Sequence, residues 1–185
     1  PSVINIADAG GTITLGGTVE YKSNSTVNGQ NGPIVLAGVV SGTAGIVLTD
    51  LTPGANPTNI GFSNPANTYT GNITLQPSVN LVVNGALTPG TGSVFNIAPK
   101  TAGVTNAISG SGSITLAGAL NIDLTATVPS SGATWNLITT SSVSYHAGFT
   151  VTGFTPGGGA VGSRVWTSGD GNYAFDEATR VLSFV

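Results

Sequence analysis

Residues 64–87 read NPANTYTGNITLQPSVNLVVNGAL, and this stretch carries the pattern that decides the fold. Small or β-branched apolar residues alternate with Thr and Asn, and no residue in it is charged. Alternation with a period of two places one set of side chains on the buried face of a strand and the other set on the opposite face. The stretch ends in Asn84-Gly85, a dipeptide typical of turns. It therefore predicts short β-strands separated by tight turns.

The same alternation recurs along the chain of 185 residues. Short runs rich in Ile, Val or Leu, several of them alternating with polar residues, occupy residues 12–15, 46–48, 73–75, 81–83, 114–116 and 121–124. Turn signals such as Gly16-Gly17 and Pro89-Gly90 lie between the runs. No segment shows the apolar stripe of an amphipathic helix. The sequence predicts an all-β fold.

The composition is unusually poor in charge. Charged residues make up 6% of the chain, against about a quarter in a typical soluble domain. The basic residues are Lys22, Lys100, Arg164 and Arg180, too few for the patch that nucleic-acid binding requires. No apolar run approaches the roughly 20 residues of a membrane span. We therefore expect neither a nucleic-acid partner nor insertion into a membrane.

Cysteine and methionine are both absent. Without cysteine the chain cannot form disulfides or thiolate metal sites. A lack of oxidisable sulfur suits a protein exposed outside the cell. The chain begins at Pro1 rather than Met, which fits removal of a signal peptide. We expect a secreted protein that is extracellular or at the cell surface.

Three stretches resemble one another. GGTITLGGTV (10–19), VSGTAGIVLTD (40–50) and ISGSGSITLAGAL (108–120) share a Gly-rich lead into Ile-x-Leu. Such irregular self-similarity is expected when strands stack turn upon turn in a β-solenoid. Chance reuse of Gly, Thr and Leu in a chain of low complexity is the alternative. A jelly-roll or β-sandwich also remains open, because short alternating strands do not report parallel or antiparallel pairing.

Residues 66–87 resemble the autotransporter-associated β-strand repeat. Asn67-Thr68-Tyr69-Thr70-Gly71 matches the Asn-Thr-Tyr-Thr-Gly element, and Leu81-Val82-Val83-Asn84-Gly85 matches the closing Leu-x-Val-x-Gly strand. Ile60-Gly61-Phe62 stands where that family usually has Leu-x-Leu. The match is strong over about two dozen residues and looser over roughly the first 130. The resemblance implies a secreted passenger-type domain that forms a right-handed parallel β-helix and is often adhesive.

The composition changes near Pro129. Large aromatic side chains thicken a core, and eight of the twelve aromatics lie beyond this point: Trp135, Tyr145, Phe149, Phe154, Trp166, Tyr173, Phe175 and Phe184. We predict a Gly/Thr/Asn-rich β-solenoid over residues 1–128 and a C-terminal β cap or meander over residues 129–185. Within the cap, residues 164–167, 172–175 and 181–185 are predicted strands, and Asp170-Gly171 is a hairpin turn.

Candidate catalytic residues are few. His146 is the only histidine, and no Gly-x-Ser-x-Gly elbow accompanies it, so a solvated loop histidine is the favoured interpretation. Glycosidase chemistry needs two carboxylates facing across a cleft. The carboxylates are scattered along the chain: Asp8, Glu20, Asp50, Asp123, Asp170, Asp176 and Glu177. We predict no catalytic, cofactor-binding or metal-binding residue, and no enzymatic activity.

The closest carboxylates lie near the C-terminus. Asp170, Asp176 and Glu177, with Asn172, form an incomplete set beside the oxygen cage that calcium requires. Turn chemistry explains Asp170, and a solvated turn beside Arg180 explains Asp176 and Glu177. Calcium binding at Asp170 and Asp176 is left open.

The lack of charge itself suggests a function. Uncharged polar surface is cheaper to desolvate than charged surface, and little repulsion keeps copies apart. Strand edges at the ends of a solenoid can pair with another copy, and residues 3–5 and 12–15 are the candidate edges. A head-to-tail contact of this kind continues indefinitely when it does not close. We expect a secreted, non-enzymatic structural protein that self-assembles head-to-tail into an extracellular fibre or surface layer.

The alternative is a monomeric adhesin or glycan-binding passenger domain, with surface glycans as its partners. It would bind through the solenoid face or through aromatic residues of the C-terminal segment, Trp135, Tyr145 or Trp166. Aromatic rings combine an apolar face with a polar handle, which suits them to binding surfaces.

Overall fold

The computed structural model describes residues 2–7, 11–30, 32–52, 56–100, 105–127 and 129–185, with the backbone alone for residues 2–7. These residues contain strands, turns and loops but no helix. Accordingly, no helix in the described ranges has the length and apolarity to span a membrane.

The strands are short, and most have three to six residues. In chain order they are β1 (Ser2–Ala7), β2 (Ile13–Leu15), β3 (Val19–Tyr21), β4 (Ser25–Gln30), β5 (Ile34–Leu36), β6 (Val40–Gly42), β7 (Ile46–Thr49), β8 (Thr58–Phe62), β9 (Ile73–Leu75), β10 (Val79–Val83), β11 (Ala86–Leu87), β12 (Val94–Ile97), β13 (Ile108–Ser109), β14 (Ser113–Leu116), β15 (Ala119–Ile122), β16 (Thr134–Asn136), β17 (Ser142–Tyr145), β18 (Thr150–Thr152), β19 (Phe154–Pro156), β20 (Val165–Ser168), β21 (Tyr173–Asp176) and β22 (Val181–Phe184).

Parallel stacking organises most of these strands. Sheet A has the order β1-β4-β7-β9-β12-β15-β18, and sheet B has the order β13-β10-β8-β5-β2. A third face contains two shorter ladders, β3-β6 and β11-β14-β17. Through most of the stack, the chain visits sheet A, sheet B and the third face in turn, and neighbours within each sheet pair in parallel. The fold is the predicted β-solenoid, and the jelly-roll alternative is wrong because it needs antiparallel neighbours.

The turns of the solenoid differ in length. Ser25 lies beside Ile46 in sheet A, whereas Ala119 lies beside Thr150, a much longer distance along the chain. The additional residues form longer connections and, between Ala119 and Thr150, also the strand β16, and the parallel pairing of sheet A continues across them. This explains why the sequence shows similar strands without a constant repeat.

The core of the solenoid consists of side chains aligned in columns. One column runs through sheet A and is at most 2% exposed at every position: Val27, Leu48, Leu75, Phe95, Leu120 and Val151. Their neighbours along each strand point outward, as the period-two alternation predicts. Burying each such side chain stabilises the fold by about 1.5–3 kcal/mol.

Asn67-Thr68-Tyr69-Thr70-Gly71 continues the third face, above β6. The backbone N–H of Thr68 donates to the Val40 carbonyl at 2.9 Å. The Asn67 side chain accepts from the Val40 N–H at 2.8 Å and donates to the Ala86 carbonyl at 3.0 Å, so it joins three successive turns. This motif therefore has a structural role in the stack.

Tyr69 fills the core beneath the same motif. Its ring is 1% exposed, and burial raises the pKa of its phenol. The hydroxyl lies 2.8 Å from the Ala44 carbonyl and 2.9 Å from the Asn72 carbonyl, so it can donate to either. The ring also contacts Tyr21 edge to face, with centroids 6.0 Å apart. A tyrosine at this position therefore both fills the core and satisfies the backbone of a corner.

An antiparallel sheet follows the solenoid, in the order β16-β22-β21-β20-β19, and is called the cap here. β20, β21 and β22 are the three strands predicted for residues 164–185, each within a residue or two of its expected bounds. Gly171, with φ of +76°, forms the turn between β20 and β21, and its N–H donates to the Ser168 carbonyl at 2.9 Å. The predicted C-terminal meander is confirmed.

Parallel pairing extends past the predicted boundary between residues 128 and 129. β17 pairs with β14, and β18 pairs with β15, both in parallel. Residues 129–185 therefore supply strands to the solenoid as well as to the cap. The change in composition near Pro129 marks a core with larger side chains, and beyond it the chain contributes to both the parallel stack and the antiparallel cap. The division into two domains stays a prediction.

Gly71 tests how closely the turns approach one another. A Cβ atom at Gly71 would lie 2.2 Å from the Ala44 carbonyl oxygen and 2.6 Å from the Tyr69 hydroxyl. We expect Gly71→Ala to lower the free energy of unfolding by roughly 1–3 kcal/mol, because overpacking forces the backbone to shift. Chemical denaturation measures the effect. Gly17→Ala is the control, because its Cβ would have no atom within 4 Å. Equal losses in both variants would contradict the expectation.

Candidate assembly surfaces at the ends of the solenoid

The N-terminal end of the solenoid consists of open strand edges. β1, β2 and β3 are each the outermost strand of their sheet. In β2, the Ile13 N–H donates to Pro33, and the Leu15 carbonyl accepts from Ala37, both at 2.9 Å. Backbone groups alternate in direction along a strand, so the N–H and C=O of Thr14 point to the open edge. Such groups are a template for pairing with another strand.

The apolar core is also less covered at this end. Ile13 and Leu15 are half-buried, whereas their register partners one turn later, Ile34 and Leu36, are 1% and 0% exposed. The same column of side chains is therefore sealed inside the solenoid and partly open at its first turn.

The cap covers the core at the C-terminal end. Phe149, which follows the last strand of the third face, contacts the Trp166 ring of β20 edge to face, with centroids 6.3 Å apart. Tyr145 of β17 packs on Phe149 at 4.9 Å. The aromatic residues that distinguish residues 129–185 therefore join the cap to the last turn of the solenoid.

A buried ion pair fixes the cap. Glu177 is 1% exposed, and its carboxylate accepts from Arg164 Nη2 at 2.7 Å and Nε at 2.9 Å. Trp166 Nε1 donates to the same carboxylate at 2.8 Å, and the Gly162 N–H donates at 2.6 Å. Burial alone would raise the pKa of Glu177, but these hydrogen bonds, led by Arg164, hold it below its ordinary value.

The expectation that Glu177 lies in a solvated turn beside Arg180 is wrong. Its charge partner is Arg164, thirteen residues earlier in the chain. Arg180 instead donates from Nη1 to the Thr140 carbonyl at 2.6 Å, and the Tyr145 hydroxyl donates to the Glu177 carbonyl at 3.0 Å. Both bonds connect the cap turn to the solenoid.

The aromatic residues considered for glycan binding are largely buried. Trp135 and Trp166 are 8% and 3% exposed, and Trp135 Nε1 donates to the Lys100 carbonyl at 2.9 Å. Tyr145 is half-buried, with its hydroxyl engaged. An exposed aromatic platform at these residues is therefore wrong, because the rings fill the core of the cap.

The carboxylates considered for calcium accept hydrogen bonds within their own turns. Asp170 accepts from the Ser168 hydroxyl at 2.6 Å and from Asn172 N and Nδ2 at 3.1 and 2.9 Å, and these bonds lower its pKa. Asp176 accepts from the Ala178 N–H at 2.8 Å. No group of three or more His, Asp or Glu side chains within the described ranges is arranged to hold a metal ion.

The remaining candidate residues lie apart. His146 is exposed, and its Nδ1 accepts from the Gly148 N–H at 3.1 Å. Asp50 is buried and accepts from the Thr58 hydroxyl and from the Thr52 N–H, within its own loop. Asp123 accepts from the Thr125 hydroxyl at 2.7 Å. Asp8 lies outside the described residues.

Sheet A has a second free edge at the C-terminal end, on β18. The Thr150 N–H donates to the Gly118 carbonyl at 3.0 Å, toward the neighbouring strand. The N–H and C=O of Val151 therefore point away from the sheet. Thr150 and Thr152 are exposed. The cap covers the core here, and no other described strand pairs with this edge of sheet A.

The edges of sheet B and of the third face differ from those of sheet A. On the third face, β3 carries Glu20 with Lys22 beside it, an exposed ion pair at 3.1 Å. Charged residues, lysine above all, discourage pairing at a strand edge. At the other end of sheet B, Ile108 bridges to Ile138, which leads into the cap. Among the described strands, sheet A is thus the face with uncharged, unpaired edges at both ends.

A shallow polar groove crosses the outer surface of the solenoid. Its volume is about 520 Å³, and its lining includes Asn24, Thr26, Thr43, Asn72 and Thr74. Neither a charged nor an aromatic side chain lines it. The groove offers hydroxyl, amide and backbone groups, which suit an uncharged polar ligand.

Comparisons with other proteins give no family assignment. This chain matches no protein-family model, and neither the curated proteins nor the solved structures compared with it gave a match. The resemblance of residues 66–87 to the autotransporter-associated repeat therefore stays a prediction.

We expect the cap to weaken in acid through Glu177. Because its folded-state pKa is depressed, its stabilisation is present above the unfolded-state pKa of about 4.3 and is lost as the pH falls through the lower folded-state value. Glu177→Gln should destabilise the protein at pH 7 and flatten this dependence. Denaturation between pH 7 and pH 2 measures both effects. Glu20→Gln, at an exposed site, should keep the wild-type profile, and an unchanged profile in Glu177→Gln would refute the role of the ion pair.

Proposed function

We propose that this protein is a secreted, non-enzymatic structural protein that self-assembles head-to-tail into an extracellular fibre or surface layer. The observation that carries the proposal is that β1 and β18 lie at opposite ends of sheet A and that no further described strand pairs with the outer edge of either. A contact between different ends of identical copies is heterologous, and it propagates unless the rotation between copies closes a ring.

The composition supports this proposal. With 6% charged residues and a net charge of −3, the surface offers little electrostatic repulsion between copies. The best-buried ion pair, Arg164 with Glu177, stabilises the cap and contributes little charge to the surface. A solenoid that ends in an unpaired strand gains backbone hydrogen bonds when another copy covers it.

An extracellular location is supported by the sequence. The chain has no cysteine and no methionine, so oxidation outside the cell has little to attack. The resemblance to a repeat of secreted passenger domains points the same way, and a stacked solenoid is the fold that this resemblance implies.

Electron microscopy of the purified protein over a range of concentrations tests the proposal, and regular filaments or sheets are the expected result. Thr152→Lys places a charge on the free edge strand β18 and should suppress assembly. Thr167→Lys is the matched control, because Thr167 is also exposed but lies on β20, inside the cap sheet. Dispersed single particles at every concentration, or equal inhibition by both variants, would overturn the proposal.

A second candidate function is glycan binding, favoured by the polar groove beside Thr43. A monomeric adhesin predicts saturable binding of a neutral polysaccharide that is lost in Thr43→Trp, because the larger ring fills the groove. Isothermal titration calorimetry would measure it. Binding that survives this substitution would place any glycan site elsewhere.

A further inference from the structure

We infer that β1 of one copy pairs in parallel with β18 of the preceding copy, with Ile4 beside Val151, so that sheet A runs on from copy to copy. This inference rests on the proposed self-assembly and specifies its contact. Three observations carry it: the register of sheet A, the direction of the backbone groups at its two edges, and the distribution of charge.

The register of sheet A aligns β1 with β18. Successive pairings connect Ile4 to Val27, and the column continues through the sheet to Leu120 and Val151. Val3 belongs by the same pairings to the column that ends at Thr150. Placing Ile4 of the next copy beside Val151 therefore continues the register of sheet A by one further strand.

The hydrogen bonds of β4 show which residues of β1 direct their backbone groups to the open edge. The Ser25 N–H donates to the Gly45 carbonyl, so Ser25 points toward β7, and the next residue, Thr26, points toward β1. In a parallel pair, a residue bonds to the two residues that flank its register partner. Thr26 is the register partner of Val3, so the N–H and C=O of Thr26 bond to the two residues that flank Val3. The backbone N–H and C=O groups of Val3 and Asn5 therefore point to the open edge.

The two edges fit each other in this register. Val151 directs its N–H and C=O away from sheet A, and its partner would be Ile4 of the next copy. Val151 then bonds to the residues that flank Ile4, which are Val3 and Asn5. These are the residues of β1 whose backbone groups point outward. A shift by one residue would set outward groups against inward ones and would also exchange the two faces.

Charge distinguishes this contact from the third face. β1 and β18 contain no charged residue, with Asp8 following β1 in the sequence, whereas β3 carries Glu20 with Lys22 beside it. At the C-terminal end, Tyr145 of β17 is bonded to the cap turn at Glu177. A second copy therefore meets an uncharged edge at both ends of sheet A and meets charge or the cap on the third face.

Disulfide cross-linking tests the register in a chain that has no native cysteine. In Val3→Cys/Thr150→Cys, adjacent strands would place the two Cα atoms about 4.8 Å apart, within the disulfide range of roughly 4.4–6.8 Å. Within one chain they stand at opposite edges of a seven-stranded sheet, about 29 Å apart. Mild oxidation should give a ladder of covalent multimers on a non-reducing gel.

Two controls make the result specific. Val3→Cys/Thr152→Cys is displaced by two residues along β18, and it should cross-link at least several-fold more slowly. Val3→Cys alone should stay monomeric on the gel, whereas efficient dimers of it would show that two N-terminal ends meet and would overturn the inference. Filaments of the double variant that do not cross-link would refute this contact while leaving self-assembly intact. Absence of both filaments and multimers would refute self-assembly as well.

Discussion

The stacking of one turn on the next is the constraint on which the rest of this structure depends. Each strand obtains its backbone hydrogen bonds from the turns above and below, at a spacing of about 4.8 Å. At some corners this spacing leaves no room for a side chain: a Cβ at Gly42, where φ is +109°, would lie 2.3 Å from the Tyr21 carbonyl oxygen. Asparagine amides replace missing ladder bonds there, as when Asn72 Oδ1 accepts from the Gly92 N–H at 3.0 Å. The abundance of Gly and Asn, which looks featureless in the sequence, therefore follows from the geometry of the stack.

Because of the same constraint, the core and strand edges at each end of the solenoid need a cover, and the two ends are covered differently. A stack of parallel strands has no natural last turn, because every added strand presents a new unpaired edge. At the C-terminal end the chain covers the core with an antiparallel sheet, and the Arg164–Glu177 pair fixes the turn that lies against β17, with the Glu177 carboxylate also accepting from Trp166 and Gly162. A buried charge needs such complete pairing to avoid a net cost. At the N-terminal end Ile13 and Leu15 are only half-covered, so the molecule has one sealed end and one open end.

The sequence predicted the positions of the strands better than it predicted the pairing of strands and the contacts of side chains. Period-two alternation located the strands at residues 46–48, 73–75 and 114–116, because that signal is local. Parallel pairing could not come from alternation, which is the same in both pairing types, and came instead from the irregular repeats. Glu177 was misassigned because Arg180 is near it in sequence, whereas its partner Arg164 approaches through the antiparallel pairing of β20 with β21. The burial of Trp135 and Trp166 depends on how the cap folds over the last turn, which composition does not encode.

The distribution of charge at the open end shows which strand edges are protected from pairing with another strand. Natural sheet proteins usually protect exposed edges with charged side chains, and β3 follows this rule with Glu20 and Lys22 beside it. β1 and β18, the outermost strands of the longest sheet, do not follow it. If the unprotected edges merely reflected a chain poor in charge, β3 would be expected to lack protection too. At the N-terminal end β3 carries charge while β1 and β2 do not, so an added strand meets charge on the third face and uncharged edges on sheets A and B.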